Sequence, residues 1–158
     1  MKIIFMIFGF AVCALTGVYI KNRFQKKEKL LNDFIYFCES TKAQIAFLQT
    51  GLDKLIETEI KKYKGEFVKV LESFSKYLKE GIPLEKTKNI TEEEWIIMFN
   101  MFEKLGRSDV KNQVALCENT KLAITPLYES AKDKNKSEGN MWLKLMFCAG
   151  FALVIILL

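Results

Sequence analysis

The chain has 158 residues, with 24 Lys and Arg against 19 Asp and Glu and a formal net charge of +5. Histidine is absent, which removes the commonest general base, and no Gly-x-x-x-x-Gly-Lys-Ser/Thr run is present to cradle a nucleotide phosphate. Four scattered cysteines without a Cys-x-x-Cys pair give no zinc-ligand spacing, so no catalytic residue, cofactor or metal is expected.

Residues Ile3 to Ile20 form an uncharged apolar run. Eighteen residues at helical rise cover about 27 Å, close to the hydrocarbon thickness of a bilayer. Lys21, Arg23, Lys26, Lys27 and Lys29 follow against a single acid, Glu28. That basic flank reads as membrane-adjacent and cytoplasmic, in contact with anionic headgroups. It also argues against a cleaved signal peptide, for which no small-x-small site is in place. The predicted first transmembrane helix covers 2–22.

Helical periodicity continues without Gly or Pro through Leu31, Phe34, Ile35, Cys38, Ile45 and Leu48, so one helix is expected from about 2 to 49. Gly51 marks its end. A short helix carries Leu52, Leu55, Ile56 and Ile60, and Gly65 breaks the chain again. The next helix presents Phe67, Val70, Leu71, Phe74 and Leu78. Gly81-Ile82-Pro83 opens a loop that ends at Thr91. There Thr91-Glu92-Glu93-Glu94 fits a capping box. The helix it starts, from Trp95 to Leu105, is apolar nearly all round and is expected to be the central core helix.

Gly106 closes that helix, and Ser108 with Asp109 reads as the cap of a last long helix. Pro126 removes a backbone donor from it and is expected to kink it near Leu122. Residues 129–140 are polar, with Gly139-Asn140 a weak point ahead of the second apolar run, Leu145 to Leu158. That run has only fourteen residues; Met141, Trp142 and Leu143 extend it if Lys144 snorkels to the interface. The predicted second transmembrane helix covers 141–158.

The fold class is thus all-α: a small helical bundle over 23–140 between an N-terminal and a C-terminal transmembrane helix. Cys38 and Cys117 read as small buried hydrophobes. A disulfide between them stays open, and a cytoplasmic setting argues against it. The basic runs lack interleaved aromatics, so nucleic acid is not an expected partner.

One stretch exceeds a generic helix corner. A well-capped turn accounts for Gly106, Ser108 and Asp109, but not for the amide pair Asn112-Gln113. Leu105-Gly106-x-Ser108-Asp109-x-x-Asn112-Gln113, the Lys134-Asn135 and Met141-Trp142-Leu143 approach, and the aliphatic end Leu153–Leu158 together resemble the stage III sporulation protein AB family of endospore-forming bacteria. The resemblance covers essentially the whole chain. Pro126, Lys136-Ser137-Glu138-Gly139 and the surroundings of Gly51 depart from the family pattern.

The resemblance implies a two-pass membrane protein of the mother cell, in the channel complex between mother cell and forespore. It further implies likeness to the F-type platform proteins of type II secretion. The implied partners are an assembly ATPase, stage III sporulation protein AA, other channel subunits and the lipid bilayer, with a homo-oligomer open. Leu105, Gly106, Ser108, Asp109, Asn112 and Gln113 are the candidate protein contacts, the last two as exposed ones. Lys21, Arg23, Lys26, Lys27, Lys29 and Lys144 are the membrane-flanking set. The rival reading is a two-span sensor with an extracytoplasmic ligand-binding bundle.

Overall fold

The computed structural model describes residues 2–48 and 51–157, and their regular structure is helical throughout. In chain order these are α1 (Lys2–Leu48), α2 (Leu52–Ile60), α3 (Glu66–Glu80), α4 (Glu92–Lys104), α5 (Val110–Lys134), a π-helical turn (Asn135–Gly139) and α6 (Asn140–Leu157). The single helix expected from 2 to 49 is α1; Gln49 lies outside the described residues. At the weak point expected at Gly139-Asn140, the chain stays helical through the π turn. A π turn widens the ring to i→i+5 and absorbs one extra residue without ending the helix. It falls on the Lys136–Gly139 stretch that departs from the family pattern. The helical assignment also runs through Pro126 to Lys134.

The chain divides into two compact units, one of residues Met1–Glu28 with Glu129–Leu158, the other Lys29–Tyr128. The second of these units holds the helical bundle.

In the bundle, α1 contributes Leu30, Leu31, Phe34, Phe37 and Cys38 to the core. These meet Phe67, Val70, Leu71 and Phe74 of α3 and Met98, Met101 and Phe102 of α4, all buried. Phe34, Phe37, Phe67 and Phe102 form a ring cluster with centroids 5.8–6.2 Å apart, and Phe74 lies 4.5 Å from Phe102. Each buried ring contributes roughly 1.5–3 kcal/mol by leaving water, and the edge-on pairs add to that.

α4 corrects the sequence reading. It is not buried all round, since Ile96 and Phe99 are exposed while Met98, Met101 and Phe102 point inward. Its start is as expected: the Thr91 hydroxyl accepts from the Glu94 N–H, and the Glu94 carboxylate accepts from the Thr91 N–H at 2.7 Å.

A buried carboxylate that the sequence did not mark joins α1 to α2. Glu59 is fully buried and accepts from Ser40 at 2.7 Å, from Lys62 at 2.6 Å and from Gln44. Burial, and then the Glu59 charge, push the Tyr63 hydroxyl above its ordinary range. All three donors meet Oε1, where they stand in for water and offset part of the cost of burying the carboxylate.

In the other unit, the first part of α1 and α6 run antiparallel. A Cβ on Gly9 would lie 3.0 Å from Leu153, one on Gly17 3.0 Å from Met146, and one on Gly150 2.8 Å from Phe10 and 3.5 Å from Cys13. Phe10 sits edge-on to Phe147 and Phe151, at 6.0 and 5.2 Å. The same register continues to Phe24 beside Gly139 and to Glu28, which accepts from Asn135 at 2.6 Å. These last pairs explain why residues 23–28 and 129–140 belong with the apolar ends rather than with the bundle. Small residues where two helix backbones approach are the packing found between helices in lipid.

Outward, this unit shows apolar side chains: Leu15 is 69% exposed and Ile156 83%. Among the described residues one helix, Val110–Ile156, is long and apolar enough to cross a membrane, with a mean hydropathy of 1.7 in its apolar window.

Candidate protein-contact site

The corner between α4 and α5 is built around one amide. α4 ends as the Leu105 N–H donates to the Met101 carbonyl at 2.9 Å, and Gly106 follows at φ +82°. That left-handed backbone favours glycine. A Cβ there would also meet Leu52 at 2.8 Å. The exposed backbone of this reversal is then taken up by Gln113, one turn into α5. Its Oε1 accepts from the Gly106 N–H at 3.0 Å. Its Nε2 donates to the Lys104 carbonyl at 3.2 Å and to the Ser108 hydroxyl at 2.8 Å.

Gln113 is 3% exposed. It is a staple of the turn, not the exposed contact expected from sequence. The cap is likewise one residue on. The Asp109 carbonyl accepts the first helical bond of α5, from the Gln113 N–H at 3.0 Å, so Asp109 and not Ser108 holds the cap position. The Asp109 carboxylate accepts from the Asn112 amide.

Of the other candidate contacts, Leu105 is buried, while Gly106, Ser108, Asp109 and Asn112 are exposed. Arg107 reaches back to the Tyr77 hydroxyl of α3 at 3.2 Å. Beside the corner lies a cleft of about 370 Å³, floored by Ile45, Leu52 and Leu55 and edged by Ser108, Val110 and Gln113. The parts from α1 and α2 were not legible beforehand, because only the chain reversal at Gly106 brings Leu52 against the corner. The cleft offers apolar contact with a polar edge and carries no group suited to proton or group transfer. Among the described residues no cluster of three or more His, Cys, Asp or Glu is placed to hold a metal ion.

The membrane-flanking set divides. Lys21, Arg23, Lys26 and Lys27 belong to the unit of the apolar ends, together with the exposed Lys144 of α6. Lys29 falls in the bundle and pairs with Asp33 at 2.7 Å.

The sequence model of the family described as stage III sporulation protein AB matches residues 2–158. The chain belongs to that family. Its role is therefore in sporulation, and an all-helical chain with a membrane-capable helix is consistent with membrane association. No curated relative and no solved structure matches it.

Proposed function

We propose that the protein is a non-enzymatic platform subunit of the sporulation channel complex between mother cell and forespore. It crosses the membrane twice, with the bundle in the mother-cell cytoplasm. There the bundle binds the assembly ATPase, stage III sporulation protein AA, and other channel subunits. The observation that carries this reading is the antiparallel, glycine-lined pairing of the two apolar ends, with lipid-like side chains outward. Antiparallel spans return both flanks of the bundle to one membrane face. The basic excess at Lys21–Lys27 supports the cytoplasmic side and headgroup contact.

The α4–α5 corner supports the contact role. Its backbone is held rigid by Gln113, and rigid presentation lowers the ordering cost of binding. Lys104, Lys111 and Asn112 stand exposed there. The test is capture of the ATPase by the full chain in detergent. Micromolar binding is expected, weakened by Lys111→Glu with Asn112→Ala. Absence of binding by a folded chain would leave anchoring as the supported role.

A further inference from the structure

The pairing of the two apolar ends sets the depth of the residues along them. Gly17 faces Leu143 and Met146, Gly139 faces Phe24, and Glu28 accepts from the Asn135 amide. In this antiparallel register Tyr19 and Trp142 come to one level, 66% and 37% exposed. Exposed Tyr and Trp at the ends of apolar spans mark the depth where hydrocarbon meets headgroup. On one side of that level the outward side chains are apolar, among them Leu15, Phe147 and Phe151.

On the other side lies a layer of positive charge drawn from both helices. Residues 21–28 and 129–144 carry eight Lys and Arg against four Asp and Glu, so the layer is net cationic. Lys21 and Arg23 of α1 stand within about 6 Å of the Tyr19 level along the helix axis, and Lys136 of the π turn within about 9 Å of Trp142. Gly139 is buried against Phe24, which leaves Lys136 on the outside of the π turn. Lys144 lies just past Trp142, where its long stem brings the ammonium back to the interface. Among the described residues, Lys21, Arg23, Lys136 and Lys144 are held in no ion pair. Glu28, by contrast, is engaged by Asn135.

We infer that this layer is a selective binding surface for anionic phospholipid, whose phosphate oxygens meet Lys21, Arg23, Lys136 and Lys144. The depth decides the occupant, because at the headgroup level the neighbour of an exposed side chain is lipid. The charge decides the class. A zwitterionic headgroup brings its own cation, which the layer repels, whereas an anionic one brings net negative charge to four free cations. Arg23 adds the planar fork that suits phosphate oxygens. The inference rests on the two-span placement proposed above and deepens it by naming the lipid.

The experiment is quenching of Trp142 fluorescence in the full chain with Trp95→Phe, which leaves Trp142 as the remaining tryptophan. The chain is reconstituted in phosphatidylcholine vesicles that carry a minor fraction of brominated phosphatidylglycerol or, separately, brominated phosphatidylcholine. The brominated phosphatidylglycerol is expected to bind at least about threefold more strongly, a modest share of what several cations near an anionic surface supply. Lys21→Gln, Arg23→Gln and Lys136→Gln together are expected to bring the two lipids to equality, with unchanged circular dichroism. Lys76→Gln, on the exposed side of α3, is expected to keep the preference. Equal quenching by both lipids in the parent chain, or a preference that the triple variant retains, overturns the inference while leaving the two-span placement intact. Quenching by neither lipid overturns both.

Discussion

Gln113 shows how far a residue's identity can mislead about its place. An amide after a capped corner reads as a free contact, yet its oxygen and nitrogen satisfy Gly106, Lys104 and Ser108. Gln113→Ala leaves those groups unpaired and is expected to destabilise the chain by about 1–3 kcal/mol. Asn112→Ala removes an exposed side chain whose partner is an exposed carboxylate, and is expected to cost less than about 0.5 kcal/mol. Urea unfolding of the two variants side by side checks this; equal losses would put Gln113 outside the staple. The fully buried carboxylate of Glu59 carries the same lesson. Nothing in its local sequence separates it from the solvated acids of α2. Its burial depends on Ser40 and Gln44, which arrive from another helix.

At the scale of elements, the helices were legible because their signals are local. The apolar period of α1 and α3, the Thr91–Glu94 box and the glycines at 51, 65, 81 and 106 mark ends that the fold keeps. The mismatch in α4 is one of faces: every apolar residue looked inward-seeking, but only one side of a helix can meet α1 and α3. The pairing of α1 with α6 was not legible, because register between distant segments is set by packing. That register is directly testable. A Cβ at position 150 lies 3.5 Å from the Cys13 Cβ, at the short end of the disulfide range. Gly150→Cys, after small adjustment of Phe10, is expected to form an intrachain bond with native Cys13 under mild oxidant. Mass spectrometry of the cut chain reads it. A 13–150 crosslink that never forms, while both thiols stay reactive, would contradict the antiparallel pairing.

At the scale of the whole molecule, the platform reading predicts that the bundle lies on the cytoplasmic side of the membrane. Lys62 holds the buried Glu59 at 2.6 Å, so a cysteine probe there would disturb the fold. Lys76 is exposed on α3 and better suited. Lys76→Cys is expected to resist an impermeant thiol reagent in intact cells and to react after permeabilisation. The wild-type chain, with Cys38 and Cys117 buried, serves as the background. Ready labelling in intact cells would favour the extracytoplasmic sensor over the platform.

By itself the sequence determined the helical class, most of the helix ends, the family and the position of the apolar runs. All of these follow from short-range patterning of charge, glycine and apolar residues. Only the tertiary structure decided that Gln113 is a staple and that α4 turns Ile96 outward. It also decided that Tyr19 and Trp142 share one level, and that the glycines of α1 and α6 face each other's helix. Those outcomes depend on which segments meet, and the free energy of a contact resides in both partners, which one stretch of sequence cannot hold.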